Sequence, residues 1–419
     1  MSTKPKHTLY ICYFGMREPL VQTQVIPYLV EIAKSGMKVS LVTFEPNLRS
    51  TWTAEQIAEK RSELSEMQIS WDCLAYHKRP SAIATAYDIF NGVRYVKRKI
   101  RDEGVDILHG RVHVPTLMGA LARRYSKRKP KLLFDIRGFF PEEYTDAGVW
   151  PENGWLFRTA KRVEGWLMKE SDAFVVLTEN ARGILFRESK ETGIDKHGRP
   201  VEVIPCCVDF KKRFSGDDSG SRDELRRKLN IEERRVYTHI GALGGLYLTS
   251  DIADFLAVAR ESDPSTYALF LTQTTPDLII PELRKRGFGE NDFFVGRVAP
   301  AEIPDYLRAS DVGLSFVKAG YATASRSPTK IPEYLACGLP IIANAGVGDV
   351  DTLINDNGVG VLLNDFSGES YKQAISAIES LGDVRQRCID TAHREFDLEK
   401  VGGERYRRIY RRLMGEHIS

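Results

Sequence analysis

The sequence predicts an α/β protein made of two doubly wound, Rossmann-like parallel-sheet domains that face a cleft. Three observations carry this prediction. The chain has 419 residues, more than one hydrophobic core usually organises, so two domains of roughly 200 residues are expected. Hydrophobic residues make up 42% and charged residues 28%, a balance that supplies enough apolar material for two cores. Short apolar runs alternate with amphipathic stretches, the pattern of parallel strands joined by helices.

The alternation opens with a strand at Thr8–Phe14, a helix at Thr23–Ser35 and a strand at Lys38–Phe44. It continues with Ile107–His109, a helix over Pro115–Ser126, Lys131–Asp135, a helix over Trp155–Lys169 and Ala173–Leu177. After Val201–Pro205 comes a polar segment that includes Asp217-Asp218, and sheet structure stops. It restarts with Val236–Ile240, a helix over Ser250–Ser262 capped by Ser250, Tyr267–Leu271 and Phe293–Val295. A helix over Glu302–Ala309 and a strand at Val312–Phe316 follow, and Gly402–Met414 reads as a charged helix.

Formal net charge is only +3, which argues against a general nucleic-acid binder. Positive charge is local, in Arg94–Arg101 (RYVKRKIR) and Arg123–Lys131 (RRYSKRKPK). Trp150, Trp155 and Trp166 follow these runs, so either the first domain docks on an anionic membrane surface or the runs form a solvated charged face. The six cysteines show no paired spacing and suit reduced thiols in a cytoplasm. The apolar run Leu9–Gly15 reads as a first strand, and no run reaches the roughly 20 residues that cross a bilayer. A cytoplasmic protein, peripheral at most on the inner face of a membrane, is expected.

The most informative stretch is SPTKIPEYLACGLPIIAN, Ser327–Asn344. Ser327 and Thr329 stand at a helix start, Gly338 at its stop, and Leu339–Ala343 is a buried strand. A helix start favours phosphate, and Lys330 adds a full charge there. Glu333, one turn on, shares the ligand face and can accept from ribose hydroxyls. The competing reading is a capping box closed by Glu333.

Glu333-Tyr334-Leu335-Ala336-Cys337-Gly338-Leu339-Pro340 resembles the E-(A/Y)-(L/M)-A-C-G-x-P signature of the family-4 retaining glycosyltransferases. The resemblance extends to Phe294–Val298, Ile303–Leu307, Ala309–Leu314 and Val203–Asp209. It implies the GT-B fold, a nucleotide-sugar donor and no metal or other cofactor. The resulting organisation is an acceptor-side domain at 1–205 and a donor-binding domain at 206–400. A C-terminal helix in 401–419 is expected to pack back towards the first domain.

Carried over residue by residue, the resemblance places the donor on Ser327, Thr329, Lys330, Ile331 and Glu333, with Arg297 and the Val298 backbone near the nucleotide. Gly244 and Gly245 follow a strand as a diphosphate-approaching turn does, and Gly15 suits the first-domain glycine loop. Arg137, in Asp135-Ile136-Arg137-Gly138, stands where the family often has a histidine, and it either stabilises the departing phosphate or pairs with Glu142 or Glu143. His109, in His109-Gly110-Arg111, is expected to pack structurally. Lys330, Arg297 and Arg137 are the expected catalytic cations.

Two departures stand out. The family's diphosphate-gripping Arg and Lys are absent from residues 241–251, and Ser325 replaces the first of its two glutamates. The Ser-Pro-Thr-Lys form resembles a branch that assembles bacterial surface polysaccharides, which implies a glycan or lipid-linked acceptor. The alternatives are a nucleotide-sugar epimerase or hydrolase, or a non-catalytic nucleotide-sugar-binding subunit. Metal sites find little support in Asp349-Val350-Asp351 or Asp217-Asp218, which read as solvated acids, and no HExxH, P-loop lysine or GxSxG is present.

Overall fold

A computed structural model describes residues 5–79, 81–214 and 219–415, apart from the side chains of residues 219–221. The pair Asp217-Asp218 lies outside these residues. The chain divides into two compact units, Met1–Pro205 with Leu398–Ser419, and Cys206–Asp397. The return to the first unit begins at Leu398, ahead of the 400/401 change expected from sequence.

The first unit is a seven-stranded sheet ordered β3-β2-β1-β4-β5-β6-β7. Its strands are β1 (His7–Ile11), β2 (Lys38–Pro46), β3 (Ile69–Tyr76), β4 (Ile107–Arg111), β5 (Lys131–Ile136), β6 (Ala173–Val176) and β7 (Val201–Val203). Every pairing is parallel. β1, β4 and β6 are buried at every position, as expected of strands covered on both faces.

Two expected elements are shorter. β1 stops at Ile11, because Cys12 makes one last bond to the Val42 carbonyl before the chain turns through Gly15. The helix expected over Thr23–Ser35 is two helices, Pro19–Gln24 and Ile26–Ala33, broken at Val25. Pro27 has no N–H to return to the preceding turn. Sequence reasoning did not identify β3 or the 23-residue helix Ser81–Glu103.

The second unit is a six-stranded parallel sheet ordered β10-β9-β8-β11-β12-β13. Its strands are β8 (Arg235–Ile240), β9 (Thr266–Leu271), β10 (Phe293–Gly296), β11 (Val312–Ser315), β12 (Ile341–Asn344) and β13 (Gly360–Leu363). In both units the strand order reverses beside the first strand, at β1/β4 and at β8/β11. Ligands of open parallel sheets bind beyond the carboxyl ends of the strands at such reversals.

The C-terminal segment forms a π-helical turn, Leu398–Gly403, and a helix, Glu404–Leu413. Tyr406, Ile409, Tyr410 and Leu413 are its buried stripe, at the helical spacing of three and four. Arg408 grips Glu202 of β7 through two bonds of 2.7 and 2.8 Å, and Arg407 bonds Glu31 at 3.0 Å. No helix among the described residues is long and apolar enough to cross a membrane.

Candidate functional site

In the second unit, β8 runs into a turn whose Gly241, Gly244 and Gly245 all have positive φ. Gly241, at φ +106°, needs glycine for that conformation, and a Cβ there would also sit 3.9 Å from Lys330 Cε. The turn is tied by Gly244 N–H donating to Thr249 Oγ1 at 2.9 Å. The following helix begins at Thr249 with Leu248 at its cap, so Ser250 does not cap it.

Helix Lys330–Ala336 lies against β11 and β12 and is pinned by Tyr334. The Tyr334 hydroxyl accepts from Ile240 N–H at 3.0 Å and donates to the Leu314 carbonyl at 3.2 Å, joining the two strands that flank the reversal. Gly313 makes room for this ring, since a Cβ there would lie 2.5 Å from Tyr334 Cδ2. Gly313→Ala is expected to cost about 1–3 kcal/mol through overpacking and to weaken ligand binding by shifting the Lys330 helix. A denaturant melt and a ligand titration of the variant check this.

Lys330 is only 4% exposed, yet no carboxylate among the described residues lies within ion-pair distance of it. Its Nζ stands 3.4 Å from His239 Nε2 and 4.4 Å from the centre of the Tyr247 ring. Burial pushes the amine down to about 7, against an upward pull from Glu333. Glu333 is itself buried and bonded to Arg213 at 2.5 Å. Burial raises the Glu333 carboxyl although Arg213 pulls the other way.

The capping-box alternative does not hold. Thr329 has helical backbone angles and makes no side-chain cap, and Glu333 turns to Arg213. Ser327 Oγ instead accepts from Cys206 N–H at 3.0 Å, and Ile331 is buried in the core. The structure thus brings Lys330, Glu333 and the Gly241–Gly245 turn to one end of the second sheet.

Arg297 is not part of that group. It follows edge strand β10, two strands or roughly 10 Å from β8, is exposed, and donates to the Gln273 carbonyl at 2.7 Å. Val298 packs half-buried against the apolar core. Arg213, His239 and Tyr247 were missed from sequence. His239 is hidden in a strand, Tyr247 lies beyond the glycines, and Arg213 is 120 residues from its partner.

In the first unit, the turn after Gly15 is fixed by Glu45, which accepts from Met16 N–H at 2.8 Å. Arg137, at the end of β5, lies 3.7 Å from Asp135, and Glu142, one of its two expected partners, is held by Lys161 at 2.9 Å. Asp135 is fully buried and also accepts from the Tyr406 hydroxyl at 3.0 Å, with His109 at 3.3 Å and Arg111 at 3.9 Å. His109 is a packed core residue, its Nδ1 2.8 Å from the Tyr410 hydroxyl. Between Arg111 and His113, Val112 has φ +69°, a costly conformation for a β-branched residue, beside the β1/β4 reversal.

The two basic runs differ in kind. Within 123–131, Arg123 and Lys131 face Asp172, Arg124 faces Glu170 and Arg128 faces Asp106, so much of this charge is matched. On helix Ser81–Glu103, Ile83, Tyr87 and Phe90 are 70%, 54% and 56% exposed, and the same stripe continues through the exposed Arg94, Lys97 and Arg98. All six cysteines are free thiols. Asp351 of the Asp349–Asp351 motif accepts from Gly346 N–H, and no group of three metal-ligating side chains occurs among the described residues.

Residues 29–212 match the model of Glycosyltransferase Family 4, and residues 221–395 match that of Glycosyl transferases group 1. No protein of curated function matches the chain. Among solved structures, a glycosyltransferase from Rickettsia africae is similar with a TM-score of 0.72 at 15% identity, covering 98% of this chain and 100% of its own. Anabaena HepE in complex with UDP and glucose gives 0.68 at 15%, covering 96% and 99%. WaaG, a glycosyltransferase involved in lipopolysaccharide biosynthesis, gives 0.63 at 17%, covering 96% and 99%. At such identities the likeness shows the fold. Two all-parallel sheets, one in each unit, and two family matches that follow one another along the chain make this protein a glycosyltransferase of the GT-B fold, family 4 in its first unit and group 1 in its second.

Proposed function

We propose that the chain transfers a sugar from a nucleoside diphosphate donor to an acceptor hydroxyl, with retained anomeric configuration and without a metal. The bond from the anomeric carbon to the diphosphate oxygen breaks, the acceptor oxygen bonds that carbon, and the acceptor proton leaves on the diphosphate. The observation that carries this is the buried Lys330 amine with no carboxylate beside it, set against a glycine turn at the β8/β11 reversal. A diphosphate would supply the missing negative charge, and Lys330 would stabilise it as it departs. Glu333 would accept from the ribose. Structures of Anabaena HepE with UDP and with UDP-glucose support this class of donor.

Thermal-shift screening of UDP-, ADP- and GDP-sugars, followed by nuclear magnetic resonance of the product with the best donor, tests the proposal. Stabilisation by one donor and a product of unchanged anomeric configuration are expected. Inversion would overturn retention, and stabilisation by none would overturn the donor assignment.

The acceptor is a glycan or lipid-linked sugar of bacterial surface-polysaccharide assembly, met at an anionic membrane by helix Ser81–Glu103. Its exposed Ile83, Tyr87 and Phe90 would enter the interface while Arg94, Lys97 and Arg98 meet lipid phosphates. Phe90→Ser with Arg94→Glu is expected to abolish sedimentation with phosphatidylglycerol vesicles, whereas neutralising 123–131 leaves it largely intact. The reverse pattern would refute this docking face.

A further inference from the structure

We propose that Lys330, buried against His239 and Tyr247 with no counter-ion among the described residues, takes up one proton from solvent when a diphosphate binds. This rests on Lys330 being the diphosphate site. It concerns how that site obtains its charge once the usual Arg and Lys of the glycine turn are missing.

The argument starts from one nitrogen. His239 Nε2 lies 3.1 Å from the Ala242 carbonyl oxygen and 3.4 Å from Lys330 Nζ. As an N–H, it donates to the carbonyl and can approach only an uncharged amine. As a lone pair, it accepts from an ammonium and leaves the Ala242 carbonyl without that bond. The N–H form of His239 Nε2 therefore fits only an uncharged Lys330, whereas the lone-pair form admits the ammonium as well. His239 does not itself charge in this range, because burial, and then Lys330, hold its pKa well below the ordinary value.

The other groups around the amine leave its charge uncompensated. From the turn, the Tyr247 ring offers its face, a weak attraction for a cation. From its own helix, Glu333 has its charge matched by Arg213. Tyr334 spends its hydroxyl on the Ile240 and Leu314 backbone. Arg308 and Arg385 lie around Cys337 at the far end of the helix and add positive charge only. A diphosphate would be the first full negative charge against Lys330, and it would raise an amine that burial holds at about 7.

The sign follows from linkage. Below pH 7 the amine is already charged and binding takes up almost nothing. Above it, each complex formed draws a proton from solvent, and affinity falls by up to about tenfold per pH unit.

The test is calorimetric titration of the full chain with UDP-glucose, ADP-glucose and GDP-glucose, whose esterified diphosphates do not titrate near neutrality. It is run at pH 6 and pH 8 in two buffers of different ionisation heat. Uptake of about 0.9 proton is expected at pH 8 and about 0.1 at pH 6 for an amine that titrates near 7. Lys330→Arg, permanently charged, should show no uptake and a flat affinity profile. Tyr247→Leu should move the midpoint of the wild-type profile to lower pH. Binding without proton uptake, or an unshifted Tyr247→Leu profile, would overturn this inference and leave the donor site standing. No binding by any of the three at either pH would overturn the donor site itself.

Discussion

Lys330→Met is expected to abolish nucleotide-sugar binding and at the same time raise the melting temperature of the protein. In the unfolded chain this amine titrates near 10.5, whereas burial holds it at about 7 in the fold. Between those values the unfolded chain binds the proton more tightly, so the group works against folding there and stability rises with pH across that window. At pH 7 the cost is on the order of 4 kcal/mol. Methionine keeps the length of the side chain without the charge, and replacing a buried ion by an apolar group is often stabilising by about 1–4 kcal/mol. For a unit of this size that corresponds to a rise of several degrees. Scanning calorimetry with and without donor checks both halves. A destabilised variant that still binds donor would refute the account of this residue.

Asp135→Ala should have the opposite effect and be the most damaging substitution in the first unit. This fully buried carboxylate holds His109 and Tyr406 and stands between Arg111 and Arg137. Burial alone would raise its pKa, but Arg137, His109 and Arg111 together hold it down to about 2. Removing it leaves the buried Arg111 without its counter-ion, at a cost of roughly 3–5 kcal/mol. Because the folded pKa is depressed, its contribution is present above about pH 4 and lost as pH falls towards 2. Urea unfolding at pH 7 should show the full loss, and the gap between the variant and the wild type should narrow as the pH is lowered towards 2. Equal stability at pH 7 would mean that the surrounding arginines are compensated by other groups.

The parallel architecture was legible because both faces of each sheet are covered. β4, β5, β8 and β9 are buried along nearly their whole length, and each carries a short apolar run, as in Leu132–Phe134 and Ala268–Leu271. Lys330 and Glu333 were legible too, since both lie on one turn of one helix next to a recognisable strand. Their partners were not. His239 and Arg213 reach the same helix from 91 and 120 residues away, and such contacts leave no periodic trace in a single sequence. The same holds for Tyr406 and Tyr410, whose helix reads as merely charged and amphipathic until β4 and β5 are seen behind its hydroxyls. Arg297 also follows a strand at the carboxyl end of the sheet, but β10 is the edge strand, and the side chain bonds the Gln273 carbonyl instead of joining Lys330.

The most direct test of the donor assignment is a crystal structure of the protein with the nucleotide sugar that stabilises it most. The diphosphate should lie within hydrogen-bond distance of Lys330 Nζ and of the Gly241–Gly245 backbone, with the ribose hydroxyls on Glu333. A nucleotide bound elsewhere, with Lys330 still packed only on His239 and Tyr247, would contradict the assignment.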